Sequence, residues 1–367
     1  MTKQEIILNF DPSQPGLADA TIFGLPFSAE QSEIIIIPVP WEVTVSYGAG
    51  ASDGPDAILE ASFQVDLCHQ DFPELWKLGI FYDQPPHHWK TNSDAFKLLA
   101  QPIIETLEKG EDLSNSTILV TDLHSINNAC RNLHTEVKER ALFWINQGKK
   151  VILLGGDHST PLGYYEALAT QHENFGILHL DAHMDLRIAY EGFTYSHASI
   201  MYNALKIENI SKIVQVGIRD FCAQEVENVV AENGRVVVHT DADLKAASFE
   251  GITWKQQCDT IISELPDKVA ISFDIDGLYS WYCPNTGTPV PGGFSFEQAT
   301  YLFNKLADSG KQIIGIDLVE VAPGANDDWD GNVGARMLFH LCGIFAKNNG
   351  LPVGERIDFE ISSAFGN

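Results

Sequence analysis

Residues 135–159 read TEVKERALFWINQGKKVILLGGDHS, and this stretch decides the fold. Val137, Ala141, Trp144 and Ile145 fall on one face of a helix that stops at Gly148. Val151–Leu154 follows as a nearly continuous aliphatic run, the pattern of a strand buried on both faces. Gly155-Gly156-Asp157-His158-Ser159 then opens directly from its end. Similar runs recur at Ile34–Val39, Gly176–Leu180, Lys212–Val216, Arg235–His239, Lys268–Phe273 and Gln312–Ile316. Helical segments lie between several of them. Ser295-Phe296-Glu297-Gln298 is a capping box that opens a helix with Phe296, Ala299, Leu302, Phe303 and Leu306 inward, ending near Gly310. This alternation predicts an α/β fold, a single three-layer α/β/α domain around a mostly parallel sheet.

Residues 1–30, with Pro12, Pro15 and Pro26, read as an N-terminal arm or surface wrap, and 31–367 as the main domain. Residues 72–92, with Pro73, Pro85, Pro86 and Asn92, read as an insertion or loop. A chain of 367 residues, 44% hydrophobic, buries a sizeable core without staples. Its net charge of -27 repels phosphate backbones, which argues against nucleic acid; it would attract a cationic substrate, and serves solubility or a salty habitat equally well. Cys68, Cys130, Cys222, Cys258, Cys283 and Cys342 are scattered without a CxxC pair, as expected for reduced thiols in a cytoplasmic protein. The opening MTKQEIILNFDPSQPG holds no secretory apolar run, and no stretch of the chain is apolar enough to predict a membrane span.

Polar clusters follow the strands repeatedly. Val151–Leu154 runs into Asp157-His158, Gly176–Leu180 into Asp181-Ala182-His183-Met184-Asp185, and Lys268–Phe273 into Asp274-Ile275-Asp276. Gln312–Ile316 runs into Asp317 and Glu320. In a parallel sheet these ends gather at one edge. The period-two alternation of extended backbone lets Asp181, His183 and Asp185 face one cavity, and Asp274 with Asp276 likewise. A lone Asp-x-Asp at a strand end is usually a cap or turn, and a lone buried His a hydrogen-bonded core residue. Six such residues in three clusters are more than one ion needs, and suit two carboxylate-bridged ions. Oxygen-rich sites with a minority of imidazoles fit Mn²⁺, with Ni²⁺, Fe²⁺ or Co²⁺ also accepted. The clusters contain no Cys, which argues against structural zinc.

In this order, GGDHS, DAHMD and SFDID resemble the arginase/agmatinase (ureohydrolase) superfamily. Pro40-Trp41-Glu42 through Gly54-Pro55-Asp56-Ala57-Ile58 resembles that family's N-terminal glycine-rich loop. Thr286-Gly287-Thr288-Pro289 with Gly292-Gly293, then Val319-Glu320-Val321-Ala322-Pro323, resembles its C-terminal signatures. The resemblance implies an arginase-like sheet of about eight strands. It implies one ion on His158, Asp181, Asp185 and Asp274, a second on Asp181, His183, Asp274 and Asp276, and a bridging hydroxide as nucleophile. Glu320 would accept hydrogen bonds from a guanidinium group, and His197 would shuttle a proton to the leaving amine. A homo-oligomer, trimer or hexamer, is also implied.

The chain departs from the family pattern in several places. Tyr279-Ser280 stands where most members carry Asp-Pro, Asn285 replaces a Gly, and Ala198-Ser199-Ile200 replaces Gly-Thr-Pro after His197. Arg187, in an Asp-Leu-Arg continuation, resembles formimidoylglutamase, where it could pair with a substrate carboxylate. The leading expectation is hydrolysis of a guanidino C–N bond, agmatine giving putrescine and urea. Arginine, guanidinobutyrate and guanidine are competing substrates. Formimidoylglutamase, a one-zinc deacylase and a non-catalytic relative are the alternative readings.

Overall fold

The structure is a computed structural model that describes residues 1–14, 16 and 21–359. Its strands are β1 (Ile34–Val39), β2 (Ile80–Tyr82), β3 (Lys150–Gly155), β4 (Phe175–Leu180), β5 (Ile210–Ile218), β6 (Val236–Thr240), β7 (Lys268–Asp274) and β8 (Gln312–Val319). The helices are α1 (Lys3–Asn9), α2 (Gly54–Ser62), α3 (His87–Glu108), α4 (Thr117–Ile145), α5 (Leu162–Gln171) and α6 (Ile200–Ala204). They continue with α7 (Ala223–Ala231), α8 (Asp241–Phe249), α9 (Trp254–Ser263), α10 (Phe296–Ala307) and α11 (Trp329–Asn348). The strands form one eight-stranded sheet in the order β2-β1-β3-β8-β7-β4-β5-β6, and every pairing in it is parallel.

Strand alternation builds both cores. Ile34, Ile36, Ile152, Leu154, Leu178, Leu180, Ile271, Phe273, Ile316 and Leu318 pack on one face with residues of α2, α9, α10 and α11. The intervening Ile35, Ile37, Val151, Leu153 and Ile177 pack on the other face with α3, α4, α5 and α6. Each such side chain contributes about 1.5–3 kcal/mol when fully buried. A sheet covered on both faces is why these strands read as continuous apolar runs.

One reading of the chain needs correction and a second is narrowed. Residues 72–92 are more than a loop. They hold a 3-10 turn at Leu75–Leu78, the edge strand β2 and the first turn of α3, with Phe72, Leu75, Trp76, Leu78 and Ile80 buried. Within residues 1–30, Ile6, Ile22, Phe23, Leu25 and Phe27 belong to the core under the sheet. The described part of this segment therefore packs against the domain as a wrap, because its apolar side chains have a partner surface. Pro15 lies outside the described residues.

In space the sheet extends from β3 through β1 to β2 on one side, and from β4 through β5 to β6 on the other. β8 and β7 fill the gap between the halves. The carboxyl ends of β3, β8, β7 and β4 therefore stand side by side where the strand order reverses, the position at which α/β sheets form crevices.

Candidate metal centre

Each of these four strands delivers polar residues to that crevice. β3 leads to His158, β4 to Asp181, His183 and Asp185, β7 to Asp274 and Asp276, and β8 to Glu320. His158, Asp181, Asp185, Asp274 and Asp276 are all buried. His158 Nδ1 lies 3.0 Å from Asp181 Oδ2, 3.2 Å from Asp185 Oδ2 and 3.2 Å from Asp274 Oδ2. His183 Nδ1 lies 3.0 Å from Asp276 Oδ2 and 3.4 Å from Asp181 Oδ1. All six predicted residues thus converge in two groups. Asp181 serves both, turning one carboxylate oxygen toward each.

Simple alternation does not explain Asp185. Its φ of 55° is left-handed, as is the φ of 64° at Glu320. Such backbone is costly outside glycine and concentrates where function over-determines the geometry. Asp185 consequently swings to the His158 group while His183 joins Asp276. Backbone amides hold the carboxylates in place. His183 N donates to Asp181 Oδ1 at 2.6 Å, Asp276 N to Asp274 Oδ1 at 2.8 Å and Ala182 N to Asp276 Oδ1 at 2.9 Å. Asp157 belongs to neither group, since its Oδ1 accepts from Ser159 N and Ser159 Oγ and closes the turn.

The electrostatics call for positive charge. Burial, then Asp276 and Asp181, push the Asp274 carboxyl well above the usual range. Burial and Asp181 push Asp185 up to about 6. Burial opposes a charge on His183, yet Asp276 and Asp181 raise it to about 12. Burial likewise opposes a charge on His158, but Asp181, Asp185 and Asp274 hold it well above its ordinary value. His158 Nδ1 nevertheless makes no hydrogen bond, although three carboxylate oxygens surround it. A buried imidazole nitrogen facing misaligned carboxylates is a donor set arranged for a cation, and the residues fit a divalent pair.

The cluster opens on a cavity of about 150 Å³ lined by His183, Asp185, Arg187, Tyr190, His197 and Glu225, among others. Arg187 lies with its guanidinium 4.8 Å from the Tyr190 ring and its Nε 4.0 Å from Glu225 Oε2. Glu225 already accepts from Leu186 N and Cys222 N, so Arg187 keeps donors to spare. His197 Nδ1 is buried without a partner. Burial, then His183 and His158, push His197 down to about 4, leaving a neutral imidazole at the cavity wall. Glu320 is not part of this wall. Its Oε1 accepts from His158 N at 2.8 Å. Burial, then Asp274 and Asp157, raise its carboxyl well above the ordinary range.

The sequence profile of the arginase family matches residues 32–343. The chain belongs to the arginase family. It is a metal-dependent ureohydrolase, acting on guanidino C–N bonds as that family does, with the family's binuclear metal site. It is 29% identical over 316 residues to an N(1)-aminopropylagmatine ureohydrolase of Thermus thermophilus, covering 86% of this chain and 91% of the relative. Among solved structures, the agmatine ureohydrolase of Thermoplasma volcanium superposes with a TM-score of 0.67 at 22% identity, covering 94% and 98% of the two chains. The proclavaminate amidino hydrolase of Streptomyces clavuligerus gives 0.68 at 21%, covering 92% and 100%. Among the described residues no helix is long and apolar enough to cross a membrane.

Several site residues escape a reading of sequence alone. His179, Gln215 and Ser272 lie inside strands and are buried, as is Asp317, which the sequence placed just past a strand end but which falls within β8. His179 comes close enough to His158, Asp181 and Asp185 to complete a possible ligand group. Their signal in sequence is a polar residue inside an apolar run, too weak to act on without the strand register. Asn285, where the family carries a Gly, has a structural reason. Its N and Nδ2 donate to the two oxygens of Asp330 at 3.0 and 2.9 Å and pin the loop after β7.

Proposed function

We propose that this arginase-family enzyme hydrolyses a small guanidino compound to urea and an amine, with agmatine, giving putrescine, as the leading substrate. The observation that carries the proposal is the pair of buried His/Asp groups sharing Asp181, opening on a cavity sized for a small molecule. The metal ligands are His158, Asp181, Asp185 and Asp274 on one side, and His183 and Asp276 with Asp181 on the other. Asp274 is the second bridging candidate. Mn²⁺ is the first choice of metal and Ni²⁺ the second, since hard carboxylates dominate the donor set. Such a pair of ions, when bound, supplies a water acidic enough to ionise near neutral pH.

The rest of the chemistry falls to the chain. His197, neutral and with Nδ1 free, would take the proton given up as water adds to the guanidino carbon and pass it to the amine that leaves as the C–N bond breaks. Glu320 is the proposed acceptor of guanidinium hydrogen bonds by family resemblance alone: its Oε1 is held by His158 N, and the role requires Oε2 to reach substrate although Glu320 does not line the cavity. The acidity of the chain and a relative named for N(1)-aminopropylagmatine support an amine tail. Arg187, with donors free at the cavity wall, supports a second reading in which the tail carries a carboxylate, as in guanidinobutyrate or formimidoylglutamate. A cytoplasmic location accords with the free thiols of all six cysteines. A trimer or hexamer is proposed from family membership.

Urea release from agmatine, arginine, guanidinobutyrate and guanidine, with Mn²⁺- or Ni²⁺-loaded protein, tests the proposal. Turnover of agmatine above the others supports it. Urea from guanidinobutyrate above agmatine, or formamide from formimidoylglutamate with urea from none of the panel, overturns it in favour of the second reading.

A further inference from the structure

The centre of the sheet carries a feature that a doubly buried parallel sheet ordinarily lacks. Four adjacent strands each place one polar residue at the same level. The register pairs Gln215 of β5 with His179 of β4, His179 with Ser272 of β7, and Ser272 with Asp317 of β8. All four are fully buried. They form a continuous polar row across the sheet, directly beneath the residues that would hold metal. Buried polar groups are costly unless satisfied, and these are bonded in a directed way.

On one side, Tyr165 Oη donates to Asp317 Oδ2 at 2.9 Å, and Ser272 Oγ donates to Asp317 Oδ1 at 2.9 Å. A hydroxyl has one proton, so the Ser272 oxygen receives the His158 Nε2–H that lies 2.9 Å away. This leaves Nδ1 of a neutral His158 as a bare lone pair aimed at Asp181, Asp185 and Asp274. On the other side, Gln215 Nε2 donates to Met184 O at 2.6 Å, and that carbonyl can only accept. The amide orientation is therefore fixed, and its second proton goes to His179 Nδ1 at 3.0 Å. His179 Nε2 then carries the proton and donates to Asp181 Oδ2 at 2.8 Å. A ring with one nitrogen accepting and the other protonated has no lone pair left for a metal.

We propose that this row is the positioning layer of the metal centre: Tyr165, Asp317 and Ser272 fix the tautomer of His158, while Gln215 and His179 hold Asp181, and His179 is not itself a ligand. The inference rests on the binuclear reading of the site. It assigns different consequences to the two halves. The Ser272–Asp317 half supports a residue of one group only. The His179–Gln215 half supports Asp181, which faces both groups. Groups that orient a ligand in this way are worth ~10–100-fold in metal affinity.

The test is Mn²⁺ binding to metal-stripped full-length protein, by equilibrium dialysis and by the spin-coupled electron paramagnetic resonance signal of a manganese pair. Circular dichroism of the metal-free proteins checks the fold. Two ions bound to the wild type and a coupled signal establish the starting point, and failure there overturns the binuclear reading itself. Given that, Ser272→Ala and the isosteric Asp317→Asn are expected to weaken one ion ~10–100-fold and to leave the signal of a single isolated Mn²⁺. Ser272→Thr, which keeps the hydroxyl, is expected to restore the pair. Gln215→Leu is expected to weaken both ions together. Unchanged affinity in Ser272→Ala and Asp317→Asn, or equal losses in Ser272→Thr and Ser272→Ala, would overturn the inference while leaving the binuclear reading standing.

Discussion

At the residue scale, Asp181, Asp274 and Asp276 each accept from a backbone amide and face an imidazole nitrogen. Asp274 shows the arrangement, with Oδ1 accepting from Asp276 N and Oδ2 3.2 Å from His158 Nδ1. Asp274→Ala removes a proposed ligand and strands the imidazole. Turnover is expected to fall by about three orders of magnitude, ~4 kcal/mol of barrier, as read by steady-state urea release. Arg187 is different, because it lies on the cavity wall and touches no metal-group residue at ion-pair distance. Arg187→Ala is expected to raise KM about tenfold for substrates with a carboxylate tail, the loss of a charged hydrogen bond, and to leave agmatine little changed. Equal losses on both substrate types would remove Arg187 from substrate recognition. The six metal-group residues were legible in the sequence because their spacing of two and their place after apolar runs are visible in one dimension. His179, Gln215 and Ser272 were not, and Asp317 was legible only as a strand-end residue, because what unites the four is register between strands far apart in the chain.

At the scale of elements, the seven strands longer than three residues announced themselves as aliphatic runs. β2 did not, since three residues between Gly79 and the Pro85-Pro86 pair carry no periodicity. The helix read from Thr135 to Gln147 is the last part of α4, which begins at Thr117. Its first half packs few side chains, and so shows little pattern. The glycine-rich loop after β1 depends on a contact equally hidden in sequence. Buried Glu42 accepts from Gly50 N at 2.8 Å, from Ala51 N at 3.3 Å and from Lys97 Nζ of α3 at 2.6 Å. That loop supplies Ser46 to the cavity wall. Lys97→Ala leaves the carboxylate buried without its cation. Lys97 is itself partly exposed, so the expected loss is only ~1–3 kcal/mol in urea unfolding. An unchanged unfolding midpoint would show that the two backbone amides suffice.

At the scale of the whole molecule, acid stability and metal binding are the accessible observables. His340 of α11 is buried against the rings of Phe72 and His69, and burial first, then His69, pushes it down to about 3. Its folded value lies below the unfolded one near 6.5, so the unfolded chain takes up the proton first. The contribution of this residue is complete above about pH 6.5 and is lost as pH falls toward 3, at ~1.4 kcal/mol per pH unit. Unfolding of metal-free protein at pH 7 and pH 5 is expected to show a smaller acid loss in His340→Leu than in the wild type. The central claim is that one carboxylate, Asp181, is shared by two cation sites. Counting bound Mn²⁺ per chain in the wild type, Asp181→Ala and Asp185→Ala tests it most directly. The account predicts two ions in the wild type, near-complete loss of both in Asp181→Ala and loss of one in Asp185→Ala. Two ions retained in Asp181→Ala, or one at most in the wild type, would contradict it.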